Sequence, residues 1–259
     1  MSGSRGAAAA CNVASVCNRG DRIVAGEIKA LIFDVFGTVV DWRTSIAREG
    51  RELGARKGLD VDWVAFADGW CSLYDPAMAR IRDGDRNFVK LDVLHRESLL
   101  EMLDRNGITD LSEAEIDDFN RAWHRLDPWP DSVAGLTRLK SRFIIATQSN
   151  GNIALMVNMA KYAGLPWDVI LGAETARSYK PVPNTYLAGA DWLGLEPSEV
   201  LMCAAHNSDL VAARNCGLRT AFFARPLESG PNKTHDLKAE HDFDYVAKDI
   251  EDLAKQLGC

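Results

Sequence analysis

The chain has 259 residues, 47% of them apolar and 26% charged, with a formal net charge of −7 at neutral pH. That length and composition can bury a sizeable core, in one ordinary domain plus a second, smaller one. Lysine and arginine are scattered rather than run together, and no apolar run is long enough to cross a bilayer, which excludes the usual signatures of nucleic-acid and membrane association.

Residues 1–27 are small and polar. Ala7 to Cys11 faintly resembles a cleavage or lipidation site, but the segment lacks a Leu/Val/Ile-rich stretch and has only Arg5 as a basic start. A disordered leader, or an upstream start codon, is expected rather than a signal peptide. The cysteines (Cys11, Cys17, Cys71, Cys203, Cys216 and Cys259) show no Cys-x-x-Cys pair and no zinc-ligand spacing. Reduced thiols in a cytoplasmic protein are the expectation.

The first strong signal is Ala30-Leu-Ile-Phe-Asp-Val-Phe-Gly-Thr38, an apolar run ending in a carboxylate, a turn glycine and a hydroxyl. Such a run bounded by a turn reads as a buried strand. Asp34 then sits at its carboxyl end, where open α/β sheets place their ligands. A helix is expected from Thr44 to about Gly58. Trp63, Phe66, Ala67, Trp70, Leu73 and Tyr74 recur at helical spacing, and Leu91, Leu94, Leu99, Leu100 and Leu103 follow a looser version of it. Ser112 with Glu115 three residues on is a capping signal ahead of a helix reaching Trp123.

Asp127-Pro-Trp-Pro-Asp131 ends the helical text and marks a linker. After it helices and strands alternate: helix Ser132–Lys140 and strand Phe143–Thr147, helix Asn152–Ala163 and strand Asp168–Leu171, helix Asn184–Leu193 and strand Val200–Ala204, helix Leu210–Cys216 and strand Thr220–Ala224. An edge strand at Asp242–Tyr245 and a closing helix Ile250–Leu257 follow. This pattern predicts an α/β fold with a parallel sheet and helices on both faces. The core comprises residues 28–43 and 129–259, and residues 44–128 form a helical cap over the strand ends, able to exclude water from a site.

Four segments at strand ends present polar groups. They are Asp34 with Thr38; Gln148-Ser149-Asn150-Gly151; Lys180 ahead of Pro181, with Tyr186 beyond; and His206-Asn207-Ser208-Asp209. Singly each has an ordinary explanation. A strand-end Asp caps a helix, Ser-Asn-Gly makes a turn, a lysine before proline is solvated, and a lone histidine is structural. Their order and shared location carry the functional reading.

That order resembles the haloacid dehalogenase superfamily over residues 28 to 257, with Asp34 as the nucleophile of its first motif, Ser149 in the second, Lys180 in the third and Asp209 in the fourth. The family implies a Rossmann-like core with an inserted cap. Most of its members are phosphatases, which carry a second acid two residues after the nucleophile and a metal-binding acid four residues before the last one. Phe36 and Ala205 stand at those positions. Phosphate monoester cleavage expels an alkoxide and concentrates negative charge, so it needs a general acid and Mg²⁺. Halide leaves as a stable anion and needs neither.

The chain therefore looks like a type II 2-haloacid dehalogenase, with no metal and no other cofactor, acting on a small halogenated carboxylic acid. The resemblance implies attack by Asp34 on the halogen-bearing carbon and hydrolysis of the resulting ester. Lys180 would hold Asp34 ionised, Thr38 would hydrogen-bond it, and Asp209 would position Lys180 or help activate water. Ser149 and Asn150 would bind the substrate carboxylate, with Phe36, Trp42, Tyr186 and Asn207 around the substrate. Pairing into a homodimer is what the resemblance implies about assembly.

Two departures stand out. Better-known members place a halide-binding arginine immediately after a cap-helix tryptophan, where this chain has Trp70-Cys71. Arg80 or Arg82, or the aromatic groups Trp42 and Trp70, are the candidates to replace it. The fourth motif begins Ala204-Ala205-His206 where many members have Ser-Ser-Asn, so His206 is expected to face the site, as a donor to the halide or as a base for water. The competing readings are a hydrolase of the same fold acting on another carboxylate or phosphate, and a non-catalytic descendant binding partners through the cap cleft.

Overall fold

A computed structural model describes residues 27–259, and the expectations about the leader and its two cysteines lie outside that range. Strand β1 (Ala30–Phe33) is wholly buried, as its uninterrupted apolar sequence requires of a strand covered on both faces. It lies at the centre of a parallel sheet, with Phe33 opposite Thr147 of β4 (Ile144–Ser149) on one side and Cys203 of β6 (Val200–Ala204) on the other. Strand β5 (Val169–Gly172) extends the sheet beyond β4, and β7 (Arg219–Phe223) and β8 (Tyr245–Ala247) extend it beyond β6. The chain reverses its direction of winding at β1, so the carboxyl end of this strand is the crevice where such sheets bind ligands.

Side chains alternate between the two faces of the sheet. Leu31, Phe33, Ile145, Leu201 and Phe223 pack with α6 (Ser132–Lys140), α7 (Ile153–Ala163) and α11 (Ile250–Gln256). Ile32, Ala146, Met202 and Phe222 pack with α9 (Pro183–Trp192) and α10 (Asn207–Asn215). The one-turn helix α8 (Ala173–Ala176) follows β5. The edge strand begins three residues later than expected. Asp244 accepts from Arg219 Nε and from the Thr220 N–H at 2.5 and 2.8 Å, which holds the chain off the ladder until Tyr245 pairs with Ala221.

A helical segment stands between β1 and β4. It comprises α1 (Trp42–Lys57), α2 (Trp63–Ser72), α3 (Tyr74–Arg82), α4 (Leu91–Arg105), α5 (Glu113–Asn120) and a 3-10 turn, Arg121–His124. The aromatic period read over 63–74 spans two helices, broken at Leu73. The capping box at Ser112 and Glu115 is present. A short antiparallel pair, β2 (Val40–Asp41) with β3 (Asp127–Pro128), joins the two crossings of this segment and has no signal in the sequence, being two residues long. The segment also docks on the sheet's carboxyl edge. Asn152 exchanges bonds of 3.1 and 2.9 Å with the N–H and carboxylate of Asp92, and Tyr179 Oη donates to the Val89 carbonyl at 2.8 Å.

The loop after β1 is held from behind by the second crossing. Trp129 Nε1 donates to the Gly37 carbonyl at 2.9 Å, and Ser132 Oγ to the Val39 carbonyl at 2.7 Å. Arg225 forks onto both oxygens of Asp131 at 2.7 and 2.8 Å and donates through Nε to the Thr38 carbonyl at 2.9 Å. Asp131 also accepts the Ile250 N–H at 2.9 Å. Both partners are buried. Removing one member of such a pair strands the other charge. Asp131→Ala is expected to lower stability by about 3–5 kcal/mol, whereas Glu101→Ala, in the half-exposed Arg105–Glu101 pair, is expected to lower it by less than about 1 kcal/mol. Urea unfolding of both variants checks the contrast, and equal losses would refute it.

Candidate active site

Asp34 follows β1 directly, and its N–H continues the strand pairing by donating to the Cys203 carbonyl at 3.0 Å. The sheet therefore fixes the root of this side chain. Its carboxylate is shared between three donors. Lys180 Nζ donates to Oδ1 at 2.8 Å, Thr38 Oγ1 donates to Oδ2 at 2.6 Å, and His206 Nδ1 stands 3.1 Å from Oδ2. Thr38 is fixed in turn, since its hydroxyl oxygen accepts the Ala205 N–H at 3.0 Å.

The network runs on in both directions. Lys180 Nζ also donates to Asp209 Oδ2 at 2.5 Å, and Tyr186 Oη donates to the other Asp209 oxygen at 2.5 Å. On the other side His206 Nε2 lies 2.9 Å from Glu228 Oε1, and Lys233 Nζ donates to Glu228 Oε2 at 2.6 Å. Asp209, Lys180, Asp34, His206, Glu228 and Lys233 thus alternate in sign when His206 is protonated, three acids against three cations. All are at least nine-tenths buried except His206, whose side chain keeps 25% of its surface.

For Asp34, Lys180, His206 and Glu228 burial opposes the charged form, and the neighbours outweigh it. Burial raises the Asp34 carboxyl, but Lys180 and His206 hold it well below the ordinary carboxylate range. Burial lowers His206, but its bonds to Asp34 and Glu228 raise it well above the ordinary histidine value. Lys180 is raised by Asp209 and Asp34 against the effect of burial. Glu228 is lowered by His206 and Lys233, again against burial. At neutral pH the resting site holds an ionised Asp34 between an ammonium and an imidazolium.

Above Asp34 lies a cavity of about 350 Å³. Its floor includes Lys180, Tyr186, Asp209, His206 and Glu228, and its walls include Phe36, Trp42, Cys71, Tyr74 and Trp123. The wall is an aromatic cluster. Phe36 meets Tyr74 and Trp123 edge to face at 6.2 and 5.7 Å, and Trp42 stacks with Trp123 at 6.3 Å. Burial pushes the Cys71 thiol up to about 12, with Glu228 adding to the effect, so the cavity wall carries a neutral thiol. Asn150 reaches the cavity while its Oδ1 accepts the Lys180 N–H at 2.9 Å. Its amide N–H groups therefore remain for other acceptors, and the Tyr74 hydroxyl stands beside them. Among the described residues no group of three or more His, Cys, Asp or Glu side chains is arranged to hold a metal ion.

Of the residues expected from the sequence, Asp34, Thr38, Lys180, His206, Asp209, Asn150, Phe36, Trp42 and Tyr186 meet around this cavity or in the network beneath it. Ser149 and Asn207 do not. Strand β4 runs on through Ser149, leaving that residue fully buried with its hydroxyl oxygen accepting the Gly151 N–H at 3.1 Å. Asn207 opens α10 and turns away, its amide bonded to Asp236, to the Lys238 carbonyl and to the Glu240 N–H. Neither arginine replaces the one missing after Trp70. Arg82 is committed to Asp75 and the Lys180 carbonyl, and neither it nor Arg80 lines the cavity. Trp70 also lies behind the wall, its indole N–H donating to the His95 carbonyl at 3.0 Å.

Glu228, Lys233, Tyr74, Cys71 and Trp123 were not singled out from the sequence as site residues. The rule that located the other groups, polar residues just past a strand end, also covers Glu228, which follows β7 in Ala224-Arg-Pro-Leu-Glu228. Gly37 admits it. This residue has φ +80°, and a Cβ there would fall 1.9 Å from Glu228 Oε1. The other four carry no comparable signal, because only the docking of the helical segment brings them to the cavity, or the chain between β7 and β8 brings them beneath it.

With this geometry in hand, the likenesses to known proteins can be read. A family model described as haloacid dehalogenase-like hydrolase matches residues 28–217. The chain is 28% identical over 216 residues to (S)-2-haloacid dehalogenase 4A of Burkholderia cepacia, covering 76% of this chain and 84% of that protein. It is similar to the crystal structure of the defluorinating L-2-haloacid dehalogenase Rha0230, with 52% identity, a TM-score of 0.88, and coverage of 90% of this chain and 96% of that one. It is also similar to the L-2-haloacid dehalogenase PA0810, with 47% identity, a TM-score of 0.86, and coverage of 89% and 98%. Sheet order, strand-end residues and family match agree: the chain belongs to the haloacid dehalogenase-like hydrolases.

Proposed function

We propose that the protein hydrolyses short 2-haloalkanoic acids to 2-hydroxy acids through an ester on Asp34, without a metal. The observation that carries this reading is an ionised carboxylate, held by Lys180 and His206, at the floor of a small aromatic cavity with Phe36 rather than an acid beside it. A carboxylate so placed has a nucleophilic oxygen, and Phe36 stands where phosphatases carry their second acid. The named relatives act on haloacids, and a cavity of about 350 Å³ accommodates a substrate of that size. In the first step an Asp34 oxygen bonds to the halogen-bearing carbon and the carbon–halogen electron pair leaves as halide. The Asn150 amide, held by the Lys180 N–H and beside the Tyr74 hydroxyl, presents its N–H groups at the cavity, where they can orient the substrate carboxylate.

Ester formation changes the charge of the network. Asp34 becomes neutral, leaving two acids against three cations, and His206 loses one of the two partners that raise its pKa. A proton then leaves His206 more readily. The neutral ring keeps Nε2–H on Glu228 and turns an unprotonated Nδ1 toward the ester, where it can take a proton from water attacking the ester carbonyl carbon. Collapse of the tetrahedral adduct expels the alkoxide of the 2-hydroxy acid, which accepts that proton, and leaves Asp34 as the carboxylic acid. Asp34 then passes its proton to the neutral His206, restoring the resting charges. The proton that His206 lost after ester formation has gone to solvent as the one proton released per turnover. Glu228 thus orients a histidine base as the acid does in a catalytic triad. Lys233 keeps Glu228 ionised throughout.

One turnover of chloroacetate in heavy-oxygen water, with enzyme in excess and EDTA present, is expected to put the label in the Asp34 peptide. Label only in the hydroxy acid would refute the ester. Strictly Mg²⁺-dependent cleavage of p-nitrophenyl phosphate, with no turnover of haloacids, would sink the reading as a whole.

His206→Gln is expected to spare the first halide release and slow ester hydrolysis about 10²–10⁴-fold, so that the Asp34 ester accumulates on rapid quenching and mass analysis. Slowed halide release with no accumulated ester would move His206 to the first step. The same variant tests the electrostatics. His206 has a raised pKa when folded, so its contribution to stability is complete below the ordinary histidine value and is lost as pH rises through the folded one. The stability advantage of wild type over His206→Gln is therefore expected to be larger near pH 6 than in strongly alkaline buffer, as read by urea unfolding. An advantage that does not change with pH would contradict a protonated His206.

A further inference from the structure

We propose that the indole N–H of Trp123 receives the departing halide. This rests on the dehalogenase reading above. In an in-line displacement the leaving group departs on the side of the carbon opposite the nucleophile. Asp34 approaches from the sheet, so the halide is driven toward the wall supplied by the helical segment, where Trp42, Cys71, Tyr74 and Trp123 stand. Among the described residues no arginine lines the cavity, and the one lysine that does, Lys180, is engaged by Asp34 and Asp209 beneath the substrate. His206 also faces Asp34 rather than the opposite wall. The anion must therefore be met by a neutral donor.

Trp123 has such a donor. The residue lines the cavity, is 2% exposed, and its Nε1–H meets no acceptor among the described residues. The contrast with other tryptophans is direct, since the N–H groups of Trp70 and Trp129 are bonded to carbonyls at 3.0 and 2.9 Å. A buried N–H without a partner costs stability, so it calls for a ligand or another compensation. A second residue with unpartnered atoms stands directly behind Trp123. Both ring nitrogens of His95 lack partners, and that ring stacks on Trp123 at 4.3 Å and 21°. Burial lowers the His95 pKa to about 3, so the ring is neutral and lends the halide position no charge. As the carbon–halogen bond breaks, its electron pair stays with the halogen. The Trp123 N–H donates a hydrogen bond to the new anion without giving up its proton.

The test removes the N–H while keeping the ring. Trp123→Phe, and replacement of Trp123 by benzothienylalanine, an isostere with sulfur in place of N–H, are compared with wild type for chloride and bromide inhibition and for halide release in the first turnover. Both variants are expected to bind halide roughly 10- to 100-fold more weakly and to release it correspondingly more slowly, with ester hydrolysis unchanged. Normal halide affinity and release in the isostere would overturn the proposal, including the case in which Trp123→Phe alone is impaired, which would mark a packing effect. Bromide soaked into crystals reads the same point without turnover. Anomalous density within hydrogen-bond reach of Trp123 Nε1 supports the assignment even if haloacids prove not to be substrates, and bromide bound only elsewhere refutes it.

Discussion

The structure depends on a buried row of alternating charges. No member would be tolerable alone, because taking a single ion out of water costs several kcal/mol. Asp34 is ionised because Lys180 and His206 flank it, and each of those is charged because a second acid, Asp209 or Glu228, stands beyond it. The row is balanced only while Asp34 carries its charge. Loss of the Asp34 charge would therefore perturb every other member, so under the proposed mechanism the row holds one protonation state before ester formation and another after it.

Much of the remaining architecture positions that row. Residues from five separate strand ends and loops must converge within hydrogen-bond distance. Backbone pairing holds Asp34 to β6, the Thr38 hydroxyl ties the loop after β1 to Ala205, and Asn150 anchors the backbone of Lys180. Gly37 leaves the space through which Glu228 reaches His206. Behind the loop, Arg225 and Asp131 form a second buried pair that fastens it to the returning crossing of the helical segment. The same crossing thus anchors both the loop after β1 and the segment that walls the cavity.

The two halves of the cavity have opposite character. The sheet side is charged and densely hydrogen-bonded, whereas the side from the helical segment is aromatic and includes the Trp123 N–H, which has no partner among the described residues. A substrate with a carboxylate at one end and a soft, weakly hydrated halogen at the other matches that polarity. The aromatic wall also lowers the local dielectric beside Asp34, strengthening the interactions within the row.

The sequence by itself determined the α/β alternation, the central place of the strand before Asp34, and the joint location of Asp34, Lys180, His206 and Asp209. Strand periodicity and the carboxyl-edge rule are local properties, and each of these residues sits within a few positions of a strand end. It also marked Phe36 and Ala205 as the positions that turn the chemistry away from a second acid. Tertiary structure alone decided what lies around those groups. Ser149 and Asn207 had the right neighbours in sequence, but their side chains are claimed by Gly151 and by the segment 236–240. Lys233 and Trp123 reach the site only because a loop and a distant helical segment pack against the sheet's carboxyl edge. Such convergence depends on how whole elements dock, and no spacing along the chain encodes it.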